Sequence, residues 1–217
     1  MATERTHSRP AGRRGRVAEA ERNDAAILAA AREVFVANPA APISAVAKRA
    51  GVGIGALYTR YDSKEDLLGT LCSHGQDIFL DEVERALASD AEPWEAYQAF
   101  LRRIVDADTH SLTVRLAGTF TPTEEHMRKA ERMRERGTAL FDKVAASGAV
   151  RPDLTFLDVS YLLELIATSS LGSPARTAEL RQRQLAIITD GIRSRSESPL
   201  PGKPPTWEEQ TARWISE

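Results

Sequence analysis

The chain has 217 residues, of which 42% are hydrophobic and 28% charged, as expected of a globular protein with a buried core. Its single cysteine, Cys72, excludes an internal disulfide, and no run approaches the roughly 18 apolar residues that a membrane span needs. The net charge of −2 hides an asymmetry, because residues 1–64 hold 11 of the 29 basic and 6 of the 31 acidic side chains. A basic head suits contact with a polyanion, although chance clustering of solvated charge explains it equally well. The polar, arginine-rich N-terminus resembles no secretory signal and favours a cytoplasmic protein.

The first third of the chain is predicted to form an arm followed by a group of short helices. Residues 1–22 are rich in arginine and small polar residues, so we expect them to be disordered. Apolar residues at helical spacing predict a first helix over 24–36, which Asn23 or Asp24 caps and the prolines after it end. The elements expected next are a helix over 44–50, a glycine turn over 51–53, a helix over 54–61 and a helix from 63 to about 87.

The rest of the chain is predicted to be a bundle of helices separated by prolines and glycines. The pattern indicates helices that start near Pro93 and Pro122, with Thr121 as the cap of the second, and further helices over 155–171 and 175–192. A linker is predicted over 194–205, followed by a short helix that carries Trp207 and Trp214. These tryptophans are expected to dock on the body or on a dimer partner, and a frayed tail is the alternative. No segment alternates like a strand, so the fold class is predicted to be all-α.

Residues 43–68, with the sequence ISAVAKRAGVGIGALYTRYDSKEDLL, are the most informative stretch. They predict a helix, a tight glycine turn and a second helix, which is the geometry that places a helix in the major groove of DNA. Small residues at Ala47 and Ala50 let the two helices cross closely. Gly51 ends the first helix, where a left-handed backbone is needed.

The series A-x-x-A-G-V-G-I-G-x-L-Y-x-x-[YF]-x-S-K-E-x-L-L, at Ala47 to Leu68, resembles the DNA-binding head of TetR-family transcriptional regulators. The resemblance covers about residues 24–71, and the G-V-G-I-G-x-L-Y form is similar to a variant common in actinobacterial members. Further along, the chain matches this family only in its pattern of helices. The family implies four parts: a disordered arm (1–22), a helix-turn-helix DNA-binding domain (23–68), a ligand-binding and dimerisation domain (69–193) and a linker with a short terminal helix (194–217).

The resemblance implies roles for individual residues of the head. Tyr58 and Lys64 match residues that contact DNA phosphates, and Ser44 at a helix N-terminus is a further phosphate candidate. A packing aromatic is the alternative for Tyr58. The positions expected to face or approach bases are Gly53, Ile54, Ala56, Thr59 and Arg60.

Two of these positions depart from the family pattern. Ala56 stands where many members have threonine, which removes one hydroxyl contact. Arg60 stands where an aromatic residue or histidine is frequent, and it can bind guanine through two hydrogen bonds. In the arm, Arg13, Arg14 and Arg16 resemble the Arg-Gly-Arg core of minor-groove hooks, with a solvated tail as the alternative.

The family also implies a small-molecule pocket in the body, and the body offers large apolar side chains with polar ones among them. The expected ligand-binding residues are Phe79, Tyr97, Phe100, Arg115, Phe120, Met127, Phe141, Tyr161 and Glu164. An ordinary core uses the same kinds of residue, so that alternative stays open. His110 is a further candidate for orienting a ligand.

Nothing in the sequence predicts catalysis, a cofactor or a bound metal, because the four histidines are widely spaced and no C-x-x-C site occurs. The partners we expect are double-stranded DNA, a small-molecule effector and a second copy of the chain, bound through 155–171 and 175–192, with no membrane. The function expected is that of a repressor released from a pseudo-palindromic operator by its ligand. An activator of the same family, an all-α enzyme or carrier with a helical lid, and a protein-interaction module with a basic head are the alternatives.

Overall fold

The computed structural model describes the backbone of residues 11–193 and 198–214, and the side chains from Asn23 onward. Over these ranges the chain forms ten α-helices and no strand, which confirms the all-α prediction. The helices are α1 (Ala11–Ala37), α2 (Ile43–Ala50), α3 (Ile54–Tyr58), α4 (Lys64–Leu87), α5 (Pro93–Ala107), α6 (Thr109–Leu116), α7 (Glu124–Ala146), α8 (Phe156–Thr168), α9 (Pro174–Arg193) and α10 (Trp207–Ala212).

The chain divides into two compact units, the head (residues 1–64) and the body (residues 65–217). In the head, α1 packs against α2 over a small core in which Phe35, Val46 and Leu57 are completely buried. An ion pair between Arg49 of α2 and Glu33 of α1 joins the same two helices at the surface. The three helices of the head therefore hold one another through a few well-covered apolar side chains.

The first helix begins at Ala11, thirteen residues before its predicted start, so the expectation of disorder over 11–22 is corrected. This segment alternates alanine and glutamate at 18–21, and both residues favour helices strongly enough to extend α1 beyond the expected cap at residue 23 or 24. Arg13, Arg14 and Arg16 lie in this part of α1, but their side chains lie outside the described ones. Residues 1–10 of the predicted arm are outside the described residues altogether.

The third helix is shorter than predicted, because it ends at Tyr58 rather than at Tyr61. Thr59 and Arg60 form a turn, and Tyr61 after them is buried in the head. The Tyr61 N–H still donates to the Leu57 carbonyl at 2.9 Å, so both buried side chains lie on the inner side of the head.

The body is a bundle built around buried side chains of α4, α5, α7, α8 and α9. Its core comprises Phe79, Val83, Ala86, Tyr97, Phe100, Leu101, Ile104, Leu140, Phe141, Val144, Val150, Val159, Leu163, Ile166, Leu185 and Ile192. The short helix α6 was not predicted, and it follows a sharp break at Asp108, whose backbone has a left-handed φ of 51°. Aspartate tolerates this conformation better than most residues do.

The capping residues of the body helices refine the predicted boundaries. Thr123, not Thr121, caps α7: its hydroxyl accepts a hydrogen bond from the His126 backbone, while the His126 ring accepts one from the Thr123 backbone. Thr155 and Asp158 form the same reciprocal capping box at the start of α8. Because both partners satisfy otherwise free N–H groups, these caps fix where the two helices begin. No helix among the described residues is both long and apolar enough to cross a membrane.

Candidate functional site

The turn between α2 and α3 sets the geometry of the head. Gly51 has a φ of 70°, which places it in the left-handed region that favours glycine. The Val52 N–H then donates to the Ala47 carbonyl at 3.1 Å, closing α2 and sending the chain into α3. The helix-turn-helix predicted from the sequence is therefore present, with Gly51 in its predicted role.

The third helix has one buried side and one bare side. Leu57 is completely buried and anchors the helix, whereas Ile54 and Tyr58 are 42% and 53% exposed. The alternative for Tyr58 was an aromatic ring packed inside the fold. Its 53% exposure does not fit that alternative. Ala56 is exposed on the same short helix. The helix therefore offers an apolar branch and a phenol to an outside partner.

Two glycines beside this surface have no reason within the fold to be glycine. A side chain added at Gly53 or Gly55 would meet nothing within 4 Å. Gly53 has a φ of −68° and Gly55 lies inside a helix, conformations that any residue adopts. The consequence is a stretch of backbone that a partner molecule can approach closely.

Arg60 and Thr59 lie in the turn after α3 and are partly engaged by the head itself. The Arg60 guanidinium forms an ion pair with Asp24 of α1, and the Thr59 hydroxyl donates to the Gly55 carbonyl at 2.8 Å. The sequence suggested Asp24 only as a helix cap. A partner 36 positions away could be found only from the fold.

Lys64 and Ser44 lie at the starts of α4 and α2. The Lys64 ammonium donates to the Pro39 carbonyl at 2.7 Å and lies 5.2 Å from the centre of the Phe35 ring. An ammonium has three donors, so this bond leaves it able to serve another acceptor. Ser44 is exposed in the first turn of α2, whose N-cap, Pro42, provides no side-chain bond. The first N–H groups of that helix are therefore available to an external anion.

The body contains a cavity of about 120 Å³, partly open to solvent, between α4, α6, α7, α8 and α10. Four of the residues predicted to bind a ligand line it: Phe79, Phe120, Met127 and Glu164. His110 also lines it. The lining residues that the sequence did not single out include Gln76, Phe156, Ser160, Gln210 and Arg213.

The other five predicted ligand-binding residues do not line this cavity. Tyr97, Phe100 and Phe141 belong to the body core, where Tyr97 and Phe141 pack edge to face at 6.1 Å. Arg115 is exposed to solvent. The Tyr161 ring lies against Arg213, whose guanidinium carbon is 5.5 Å from the centre of the ring. Aromatic rings that interlock with each other fill space rather than border it, which is why the core alternative holds for these three.

The C-terminal segment supplies one wall of the cavity. Trp214 packs edge to face on Phe120 at 6.1 Å, and the Arg134 guanidinium lies 5.8 Å from the centre of the Trp207 ring. Both tryptophans border the cavity. The predicted docking of Trp207 and Trp214 on the protein's own body is therefore confirmed. The alternative of a frayed tail is wrong for these two residues.

A buried ion pair fastens this wall. Two guanidinium nitrogens of Arg213 donate to the two carboxylate oxygens of Glu164 at 2.6 and 2.5 Å, and Glu164 is only 6% exposed. The carboxylate raises the pKa of Arg213. Paired geometry of this kind is needed to hold a charge in a buried position.

Two further groups in the cavity wall, His110 and Cys72, are held in their neutral forms by burial. Burial lowers the pKa of His110 to about 4, despite the opposing charges of Glu164 and Asp108. Burial likewise raises the pKa of the Cys72 thiol to about 11, which argues against a reactive thiolate there. Among the residues that the structure describes, no group of three or more His, Cys, Asp or Glu could hold a metal ion.

Comparison with known proteins identifies both parts of the chain. Residues 27–71 match the family described as bacterial regulatory proteins, tetR family, and residues 92–194 match the C-terminal domain of SbtR-like transcriptional regulators. No curated protein matches the chain.

Solved structures agree with these matches. The TetR transcriptional regulator SCO0520 of Streptomyces coelicolor is 30% identical over 80% of this chain and 99% of its own, with a TM-score of 0.55. The regulator LfrR of Mycobacterium smegmatis, in complex with proflavine, is 21% identical over 83% of this chain and 99% of its own, with a TM-score of 0.62. A gamma-butyrolactone receptor is 22% identical over 78% of this chain and 85% of its own, with a TM-score of 0.57. The two less similar structures show a shared fold, and the first relative shows that the chain belongs to the TetR family of transcriptional regulators.

Proposed function

We propose that this chain is a repressor that binds a pseudo-palindromic DNA operator as a homodimer and leaves it when a small molecule occupies the body cavity. The observation that carries the proposal is the outer surface of α3, where Ile54 and Tyr58 stand in solvent over a buried Leu57. A rigidly anchored helix with exposed apolar and hydroxyl groups is suited to the major groove. In this account residues 23–68 bind DNA and residues 69–193 bind the ligand and the second copy.

The roles we propose for the head residues are supported by the exposure of Ile54 and Tyr58 and by the open space beside Gly53. Ile54 touches a thymine methyl and the Tyr58 hydroxyl meets a phosphate, while the bare backbone at Gly53 lets the duplex approach. Phosphates on either side are held by Ser44 and Lys64. The other groove-facing positions are Ala56, Thr59 and Arg60, and the minor-groove contacts come from Arg13, Arg14 and Arg16. We also infer that the head belongs to the G-V-G-I-G-x-L-Y subgroup common in actinobacterial members.

The homodimer is supported by apolar side chains that the single chain leaves uncovered. Leu165 on α8 and Ile187 on α9 are each 64% exposed, and they lie within the two segments predicted to form the interface. Large exposed aliphatic residues on neighbouring helices are expected to be covered by a partner. A second copy would cover them through the same patch on each subunit and would set two heads one DNA turn apart, about 34 Å.

The response to a ligand is supported by the continuity of α4. This helix begins at Lys64, the last residue of the head, and its later residues Gln76 and Phe79 line the cavity. A ligand that shifts α4 would move a predicted phosphate contact. By linkage, ligand and DNA then weaken each other's binding by the same factor. Two proteins of this fold are described with small molecules: LfrR with proflavine, and a gamma-butyrolactone receptor.

The mode of regulation is tested by transcription in vitro from a promoter that overlaps a duplex selected by the full chain. Repression that depends on the selected sequence is the expected result, and activation would overturn the repressor assignment. The dimer is tested separately with Leu165→Glu and Ile187→Glu, which should convert the protein to monomers in sedimentation and weaken operator binding. The exposed Arg102→Glu on α5 is the control for added charge.

A further inference from the structure

Five large aromatic side chains border the body cavity. Phe79, Phe120, Phe156, Trp207 and Trp214 all border it. Flat rings on several sides favour a flat, apolar guest, because such a guest buries its faces against ring faces and edges. The two tryptophans come from the C-terminal segment, which lies beyond the residues that match either family model.

The charged groups that border the cavity are already paired within the protein. Glu164 and Arg213 neutralise each other through two hydrogen bonds, and Arg134 forms an ion pair with Glu131. Among the lining residues that the structure describes, none presents a charge without an opposite partner. An anionic or cationic guest would thus lose its hydration without gaining a counter-charge.

The two histidines of the wall do not change this balance. The His110 ring stays neutral above a pH of about 4 because it is buried. The His126 ring uses both nitrogens internally: Nδ1 accepts from the Thr123 N–H at 3.0 Å, which leaves Nε2 to donate to the Gly69 carbonyl at 2.8 Å. The His110 ring therefore carries no charge at neutral pH, and neither ring nitrogen of His126 is left to bind a guest.

Two polar atoms of the wall have no hydrogen-bond partner within the described part of the chain. Gln76 is 9% exposed and lines the cavity, and its amide nitrogen donates to the His126 carbonyl at 3.0 Å. Its amide oxygen is buried and has no hydrogen-bond partner within the described part of the chain. The Gln210 amide oxygen, in the C-terminal wall, is in the same position. A buried acceptor of this kind is costly unless a donor reaches it.

We infer that the cavity takes an uncharged, flat aromatic molecule that donates an N–H or O–H hydrogen bond to the Gln76 amide oxygen. This inference rests on the proposed ligand-responsive function and narrows it to one chemical class. The C-terminal segment contributes two of the features that define this class of ligand. Its tryptophans provide aromatic ring faces, and Arg213 neutralises the charge of Glu164. Without Arg213 the same cavity would present a carboxylate and would suit a cation.

The test uses three fluorescent probes that differ in one group each, with binding followed by fluorescence on the full chain. N-phenylnaphthylamine is neutral and carries one N–H, anilinonaphthalene sulfonate adds a negative charge, and N-methyl-N-phenylnaphthylamine lacks the N–H. We expect the neutral N–H probe to bind about tenfold more tightly than the N-methyl probe, the effect of one hydrogen bond. It should also bind more tightly than the sulfonate.

Two variants locate the effect. Gln76→Leu should abolish the preference for the N–H probe, while Tyr97→Phe, which removes a buried hydroxyl outside the cavity, should leave it unchanged. Arg213→Met should raise the affinity for a naphthylmethylammonium probe, which is cationic at neutral pH, about tenfold, since Glu164 is then unpaired. Each preference is a ratio within one protein, so a modest loss of stability does not obscure it.

The outcomes separate this inference from the function on which it rests. Equal binding of the N–H and N-methyl probes, or tighter binding of the sulfonate, overturns the ligand class even if the protein still leaves DNA with some other compound. Failure of all three probes to bind overturns it as well. Sequence-specific DNA binding by the same preparation is measured independently, so its loss would count against the regulator function rather than against the ligand class.

Discussion

Arg213 and Glu164 form a two-bond ion pair that joins the C-terminal segment to α8 across 49 positions of the sequence. The carboxylate is buried, whereas the guanidinium is 27% exposed at the edge of the cavity. The pair therefore fixes a wall of the body cavity with a segment that the TetR-family models do not include. Its removal should affect both the stability of the body and the charge of the cavity.

The first prediction is that Arg213→Ala lowers the free energy of unfolding by about 2 kcal/mol, because it leaves the Glu164 carboxylate buried without a partner. The value is set below that of a fully buried pair since Arg213 is partly solvated. Urea unfolding measures it. Arg176→Ala, which breaks the exposed pair with Glu179, is the control and should cost almost nothing. Equal effects of the two substitutions would show that the Glu164–Arg213 pair does not hold the wall.

The second prediction concerns pH and His110. Burial lowers the pKa of this ring to about 4, whereas an unfolded histidine titrates near 6.5. Between these values the unfolded chain binds more protons, so stability falls as the pH drops through this window and is fully present above it. The full difference amounts to about 3 kcal/mol. Unfolding measured at several pH values should show this dependence, and His110→Asn should remove it.

The control for that measurement is the exposed His74→Asn, which should keep the dependence of the natural chain. If His110→Asn and the natural chain show the same slope between pH 4 and 6.5, the ring is not buried in its neutral form. The neutral wall inferred for the cavity would then lose one of its supports.

The sequence predicted the elements that local signals define. The helix-turn-helix could be read because Gly51, the small residues before it and the buried Leu57 act within a few positions of one another. The extension of α1 could not, because the favourable helix formers at 18–21 competed with a plausible cap and the outcome depends on the whole helix. The break before α6 rests on one left-handed residue, Asp108, which has no pattern around it.

The cavity was only partly predictable for a different reason. The periodicity of an aromatic residue shows that it faces inward, but not whether it faces a core or a cavity. The rings of Phe79 and Phe100 pack edge to face with their centres 5.5 Å apart, yet only Phe79 also borders the cavity. Arg213 was not predicted, because its partner Glu164 lies on another helix and the pairing exists only once the C-terminal segment has docked. The ion pair between Arg60 and Asp24 was not predicted for the same reason, because it forms only in the folded head.

The third prediction is that alanine at Gly53 or Gly55 weakens DNA binding at least about tenfold without harming the fold. Neither added methyl group comes within 4 Å of another described residue, and Gly55→Ala should even stabilise α3 by up to ~1 kcal/mol. The added methyl groups would stand between the backbone and the duplex. Fluorescence anisotropy with a selected duplex measures the affinity, and thermal unfolding measures the stability.

Gly51→Ala provides the contrasting control, because its positive φ makes any side chain unfavourable by about 1 kcal/mol or more. This variant should lose stability first and DNA affinity only as a consequence. If Gly53→Ala and Gly55→Ala bind DNA as tightly as the natural chain, the exposed backbone is not a contact surface.

The fourth prediction distinguishes two roles for Arg60. If Arg60 reads a base, Arg60→Ala relaxes the preference at one position in each half-site, at a cost of about 1–3 kcal/mol there. Asp24→Asn, which removes the charge that engages Arg60, should then strengthen DNA binding. If Arg60 only joins α3 to α1, both substitutions destabilise the head and the selected sequence stays the same. Lys64→Ala is the reference for a phosphate contact and should weaken all sites alike.

The central claim is that the two heads of a homodimer read DNA bases through α3. Selection of duplexes from a random pool by the full chain at physiological salt, followed by sequencing, tests it most directly. The account predicts a pseudo-palindromic motif whose half-sites are one helical turn apart, about 10 base pairs. Recovery of no motif, with binding that simply fades as the salt concentration rises, would contradict it and would mean that the head holds phosphates without reading bases.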